Sequence, residues 1–213
     1  SEDGERWAHQ DSGVKAPFFG VAFGAESIVV VGYAGTIVNS RDATAWSRAN
    51  CGSRDQLMGV CAHADRFIAV GYNGTMLVSP EGSAWSAQRS GTRDHMSEIV
   101  SLGGRLFALR TGGIAKDEDP DRGVLVSDDG LSWRTCAAPV GLNGMAFGGG
   151  VYLAVGHGPK AVASVDSDKW SQVDPGTDQV LQQVAFGNGI FVAVGETGTI
   201  VVFETIGRLK GTP

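Results

Sequence analysis

A seven-residue pattern, Ser-x-Asp-Gly-x-x-Trp, occurs five times in this chain, intact or degenerate, and contains all five of its tryptophans. The copies run Ser1–Trp7, Ser40–Trp46, Ser79–Trp85, Ser127–Trp133 and Ser164–Trp170, so the tryptophans fall 39, 39, 48 and 37 residues apart. A second series lies between them: Val31-Gly32-Tyr33-Ala34-Gly35, Val70-Gly71-Tyr72-Asn73-Gly74, Leu109-Arg110-Thr111, Val155-Gly156-His157-Gly158 and Val194-Gly195-Glu196-Thr197-Gly198. Its spacings are 39, 39, 46 and 39. Two interleaved series with one period mean that a single supersecondary unit of about 40 residues is repeated along the chain.

The second unit shows what is repeated. Gln56 to Ala62 is largely apolar, His63-Ala64-Asp65 turns into Arg66–Val70, Gly71–Gly74 turns into Thr75–Val78, and Glu81-Gly82 turns into a polar segment after Trp85. Four short strands joined by tight turns make one antiparallel sheet, apolar at its first strand and polar at its fourth. No stretch has helical periodicity over the length a helix needs. Units of this length and make-up are expected to be propeller blades, over residues 11–50, 51–89, 90–137, 138–173 and 174–205. The last unit lacks a box after Phe203, and the chain opens with one. Residues 1–10 are therefore expected to complete the last blade and close a five-bladed ring, removing exposed sheet edges. The alternative is an open arc of a larger propeller.

The heptapeptide resembles the Asp-box, or BNR repeat, of the sialidase superfamily and related propellers, over essentially the whole chain. The resemblance implies that the box sits in the turn between third and fourth strands, away from the ligand face, with a structural role, and it favours an extracellular or periplasmic location. The residues support that role. Asp3, Asp42, Asp129 and Asp166 can accept turn N–H groups, Gly4, Gly82 and Gly130 tolerate positive φ, and Trp7, Trp46, Trp85, Trp133 and Trp170 can cover blade edges. Glu81 replaces the Asp of the third box, and Ala43 and Ser167 replace Gly in the second and fifth.

At 213 residues with 32 glycines, the chain suits one turn-dense all-β domain with a substantial core. Its net charge of -6 argues against nucleic acid or an anionic membrane as partner. No apolar run is long enough to span a bilayer, and no signal peptide is present in the sequence. Cys51, Cys61 and Cys136 are an odd count without CxxC spacing, so neither zinc nor any other cofactor is expected; a Cys51–Cys61 bridge would tie an outer strand to an inner one.

Turns alternate between the two ends of a blade, so loops after the fourth and second strands share the end opposite the boxes. That mouth would collect Arg54, Asp55, Arg93, Asp94 and His95, with Lys15, Asn143 and Asp178, from the loops between units. The loops after second strands would add Tyr33, Tyr72, Asn73, Arg110, His157, Lys160 and Glu196. Tyrosine faces with Arg, Asp and Asn groups suit a polar ligand such as a sugar; the same residues can equally be solvated loop pairs copied with the repeat. The third unit diverges most: Arg110 replaces the repeated Gly, and about seven extra residues fall within Gly112–Gly123. Such an insertion could be a lid, a calcium loop or a solvated loop.

Glycoside hydrolysis needs two carboxyls about 5 to 10 Å apart; the candidates on this face are Asp55, Asp94, Glu98, Asp178 and Glu196, with Glu98 paired with Asp55 or Asp94 the preferred choice. Glu98 interrupts the apolar strand Met96–Val100. Sialidases also need an arginine triad and a tyrosine nucleophile, and the chain is short for their six blades. No nucleophile elbow, HExxH, P-loop or dinucleotide fingerprint occurs. The expected function is therefore a non-catalytic module binding a glycan or a partner protein at the mouth, with a glycosidase-like hydrolase or a protein scaffold as alternatives.

Overall fold

A computed structural model describes residues 1, 3–112, 123–136, 138–139, 141–157 and 160–203. It is all-β. The first sheet is β1 (Phe18–Gly24), β2 (Ser27–Gly32), β3 (Ile37–Ser40) and β4 (Ser47–Ala49), antiparallel and in sequence order. The second repeats it with β5 (Leu57–His63), β6 (Arg66–Gly71), β7 (Met76–Ser79) and β8 (Ser86–Ala87). The third has β9 (His95–Leu102), β10 (Arg105–Gly112), β11 (Val124–Ser127) and β12 (Arg134–Cys136). The fourth has β13 (Leu142–Gly148), β14 (Val151–Gly156), β15 (Ala161–Ser164) and β16 (Ser171–Val173). The fifth has three strands among the described residues, β17 (Leu181–Gly187), β18 (Ile190–Gly195) and β19 (Ile200–Phe203).

The apolar strands β6, β10 and β14 bury both faces, as their blend of Val, Ile, Leu and Ala requires, while β2 leaves Ile28 and Val30 half-buried. Four clusters result, one at each junction of consecutive sheets. Val29, Val31 and Ile37 meet Val60, Phe67 and Leu77; Ile68, Val70 and Met76 meet Ile99, Leu106 and Leu125. Phe107, Leu109 and Val126 meet Met145, Tyr152 and Val162, and Leu153, Val155 and Ala161 meet Val184, Phe191 and Phe203. Trp85, Trp133 and Trp170 pack against the first three junctions, each from the later sheet. All three cysteines are buried and free, so the Cys51–Cys61 bridge is not formed; burial pushes the Cys61 thiol up to about 12.

The boxes are self-contained turns. Oδ1 of Asp42 accepts the Thr44 and Ala45 N–H groups at 2.8 Å each, and Asp129 does the same for Leu131 and Ser132. These bonds favour the ionised form and hold both carboxyls well below the usual range, Asp129 at about 2. Where Gly is replaced the backbone stays left-handed, φ 59° at Ala43 and 65° at Ser167 against 81° at Gly82. Trp85 Nε1 donates to Gly82 O at 2.9 Å, closing the third box without an Asp.

The ends differ from the expected closure. The Ser1–Trp7 box forms, with Asp3 accepting from Glu5 and Arg6, because its hydrogen bonds are all internal. Yet residues 1 and 3–17 form no strand, and Trp7 is 81% exposed. Among the described residues no strand pairs with the outer edge of β19.

Candidate functional site

The second repeated series builds the turns at the end of the sheets opposite the boxes. In β6 and its equivalents the Val-Gly pair brings the backbone against the entry of the first strand: the Tyr72 N–H donates to Gln56 O at 2.9 Å, and Tyr33, His157 and Glu196 donate likewise to Pro17, Gly141 and Val180. A Cβ on Gly71 would lie 2.0 Å from Gln56 O, so only glycine fits. A 3-10 turn follows, Tyr33–Gly35, Tyr72–Gly74 or Glu196–Gly198, whose middle residue is left-handed. These turns hold Tyr33 and Tyr72 rigidly and leave them exposed.

Tyr72 stacks on His95 of the next sheet, ring centroids 4.2 Å apart and 17° between planes. His95 Nδ1 accepts the Asn73 N–H at 3.1 Å. Asn73 Nδ2 donates to Asp55 Oδ1 at 2.8 Å and Thr75 Oγ1 to Asp55 Oδ2 at 2.6 Å. The Thr75 and Asn73 bonds hold the Asp55 carboxyl below its ordinary range. Tyr72, Asn73, Asp55 and His95 therefore form one network bridging the second and third sheets, while Arg54 and Arg93 project into solvent. Beside Arg93 lies a shallow depression of about 390 Å³ bounded by Gly74 and residues Gln88–Arg93.

Asp94 and Arg110 are not displayed at the mouth. Their side chains are only 4% and 5% exposed, and Arg110 Nη1 lies 3.6 Å from Asp94 Oδ2. Arg110 Nε donates to Gly123 O at 2.5 Å and Nη1 to Thr92 Oγ1 at 3.4 Å. The replacement of the repeated Gly by Arg is thus structural: β10 pairs irregularly after Leu109, and the guanidinium fills the space beside Asp94. His157, Glu196, Lys15 and Asp178 are exposed, and Lys160 is half-buried. Glu196 Oε1 is 3.5 Å from Gln182 Nε2, and Asp178 accepts from Gln179. Residues 113–122 of the insertion lie outside the described residues. Among the described residues no group of three His, Cys, Asp or Glu is arranged to hold a metal.

Glu98 occupies a different place, a cavity of about 250 Å³ lined by residues of all five sheets. Its register explains it. Gly20, Gly59 and Gly144 hold the same position in β1, β5 and β13, where first strands approach so closely that a Cβ on Gly59 would lie 3.0 Å from Ile99 N. In β9 and β17 that position is Glu98 and Gln183, and Gln183 Nε2 donates to Glu98 Oε1 at 3.0 Å. Burial pushes the Glu98 carboxyl up. Gln183 was absent from the expected site, although aligning the repeats at this glycine shows both departures at once. No second carboxyl lines this cavity, Asp55 is held by its own loop, and Asp94 is paired with Arg110.

The box end is cross-tied by its polar groups. Arg105 Nε donates to Asp128 at 2.7 Å and its Nη1 to Ser167 Oγ at 2.5 Å, while His63 pairs with Ser101 at 2.8 Å. A cavity of about 330 Å³ at the fourth box, lined by Val126–Asp129 and Ser132–Arg134, is bounded by turn groups already engaged in this way.

No family model and no curated protein matches the chain. Solved structures do. YCF48 from Cyanidioschyzon merolae matches over 93% of this chain and 70% of its own, with a TM-score of 0.68 and 14% identity. A structure of YCF48 bound to D1 peptide matches over 88% of this chain and 63% of its own, TM-score 0.66, 18% identity. A nidogen/laminin complex matches over 88% and 76%, TM-score 0.62, 14% identity. At these identities the likeness is one of fold: the chain is an all-β protein of β-propeller architecture, with four four-stranded antiparallel sheets and one of three strands among the described residues.

Proposed function

We propose that the five sheets are consecutive blades around one channel and that the chain is a non-catalytic module holding a peptide or protein segment at the channel mouth. The observation that carries this reading is the state of the carboxylates beside the state of the aromatics. Hydrolysis across the channel needs a free carboxylate pair, and Asp55 and Asp94 are consumed by Thr75, Asn73 and Arg110. Displayed beside the exposed Lys15, His157, Asp178 and Glu196 are Tyr33, Tyr72, Arg54 and Arg93, the residue types that dominate protein recognition surfaces. The same fold in YCF48 has been solved bound to D1 peptide, and in a nidogen/laminin complex, which supports a peptide or protein partner over a sugar.

A displayed random-peptide library selected on the immobilised chain tests this. Selected peptides should lose about tenfold or more in affinity on Tyr72→Ala and on Arg93→Ala, a typical hot-spot loss, with the unfolding midpoint unchanged. Binding indifferent to both substitutions would overturn the mouth as the site. A glycan-array signal lost in Tyr72→Ala, with no peptide selected, would replace the peptide by a sugar.

A further inference from the structure

One position changes character from sheet to sheet. Phe18, Leu57, Met96, Leu142 and Leu181 share a register in the five first strands, and the residues just before them are Pro17, Gln56, His95, Gly141 and Val180. Of these five His95 alone titrates, and the turn of the preceding sheet engages it twice. Its ring stacks on Tyr72 with centroids 4.2 Å apart, and its Nδ1 lies 3.1 Å from the Asn73 backbone nitrogen. A backbone N–H can only donate, so Nδ1 is the acceptor, the ring is neutral and its proton is on Nε2. Asn73 is held at φ 55°, a left-handed backbone that costs free energy in a residue other than glycine.

We propose that His95 is a pH-sensitive latch on the Tyr72–Gly74 turn: when neutral it seats Tyr72 and Asn73 for the bound segment, and when protonated it releases them and weakens binding. This rests on the reading of the mouth as a peptide site. An imidazolium carries a proton on both nitrogens and accepts at neither, so the Asn73 bond and a charged ring exclude one another. Imidazoles change charge over about pH 5 to 8, a range in which the carboxylates and arginines of the mouth do not.

The charges around the ring come from three elements. On the loop before β5, Asp55 lies near enough for its carboxylate to interact with a charge on the ring, while Arg54 projects into solvent. On the loop before β9, Arg93 is exposed and Asp94 is paired with Arg110 of β10. Glu98, further along β9, is bonded to Gln183. The Tyr72 ring face also favours a cation. Asp55 and that face make the charged ring accessible, but neither supplies the acceptor that the Asn73 N–H loses.

NMR of the isotopically labelled chain between pH 5 and pH 8 provides the test. At pH 8 the His95 Nδ1 should show the shift of an unprotonated nitrogen, and the Asn73 backbone amide and Tyr72 ring signals should follow the His95 titration as pH falls. His95→Gln keeps a polar side chain without the charge, as Gln56 does at the matching position, and should abolish that response; His63→Gln, at the box end, should leave it. Asp55, held below its ordinary range, acts on Asn73 in stronger acid and does so in both proteins. A Tyr72-dependent peptide with blocked ends and no Asp, Glu or His should bind about fivefold more weakly at pH 5 than at pH 8, the worth of one hydrogen bond, and equally at both in His95→Gln. A proton on Nδ1 at pH 8, an Asn73 amide indifferent to the His95 titration, or a peptide affinity that is the same at both pH values would overturn the proposal, and the first two are read on the parent chain alone. An Asn73 amide that follows His95 without any Tyr72-dependent peptide would sustain the latch and sink the mouth.

Discussion

The junctions between sheets and the two outermost sheet faces carry the same sequence and have opposite fates. Val21 of β1 shares its register with Val60 of β5, Met145 of β13 and Val184 of β17. Val60 is 7% exposed and Val21 66%. At the other end Ile200 of β19 stands where Ile37 of β3 and Met76 of β7 stand, yet Ile200 is 69% exposed and Ile37 is fully buried. Phe19 and Phe23 flank Val21, and Val194 and Val202 flank Ile200, all exposed. Burial here is decided by whether a sheet lies alongside, and the residues at both ends are of the type that a neighbouring sheet covers. Contiguous apolar faces of this kind mark interaction surfaces.

The largest effect is expected inside, at the buried pair of Asp94 and Arg110. Arg110→Met removes the guanidinium beside the buried Asp94 and should destabilise by about 3 kcal/mol or more in urea unfolding. Arg110→Met combined with Asp94→Leu should recover most of that loss, because an apolar pair of similar volume can replace a buried ion pair. A small single-variant effect would mean that this part of the third sheet is open to water and does not belong with the junctions.

The matched valines test the comparison directly. Val60→Ala should cost about 2 kcal/mol from lost burial and the cavity left behind, and Val21→Ala less than about 0.5 kcal/mol, as for an exposed position. Equal costs would break the contrast and show that the β1 face is covered in solution. Smaller again is the turn effect. Ala43 holds a left-handed backbone where the third and fourth boxes have Gly82 and Gly130, so Ala43→Gly should stabilise by about 0.5 kcal/mol, relief of strain outweighing added chain entropy. Destabilisation would show that unfolded-chain entropy dominates at that turn.

Most of the fold was readable because it is written in repeats. Trp85, Trp133 and Trp170 each pack at a junction, and the Val-Gly series locates the turn into the third strand in the first, second and fifth sheets. What could not be read follows from pairing. Asp94 looked like a mouth residue because its loop is at the mouth, but Arg110, sixteen positions on, draws it inward, and periodicity carries no sign of an ion pair between two elements. Residues 1 and 3–10 form no strand on the fifth sheet, for a related reason. A box specifies its own turn through Ser1 and Asp3, whereas docking Trp7 onto the fifth sheet depends on surfaces that the motif does not encode. Gln183 was missed because it matters only in register with Glu98 across the axis.

The acid dependence of stability sets the axis against the rim. The Asp129 carboxyl is held by the Ser132 and Leu131 N–H groups at about 2, against an ordinary 3.8. A depressed folded value adds stability above the unfolded value, and that stability is lost as pH falls from near 4 toward 2. Glu98 has the opposite sign: its folded value is raised by burial above an ordinary 4.5, so its contribution is fully present below that value and is lost as pH rises through the folded one. Glu98→Gln should therefore leave stability unchanged in acid and raise it at neutral pH, whereas Asp129→Asn should lower it at neutral pH and converge on the parent chain near pH 2. Chemical unfolding of the three proteins across that range gives crossing difference curves. Parallel curves for Glu98→Gln would mean that the Glu98 carboxyl is solvated like a rim residue.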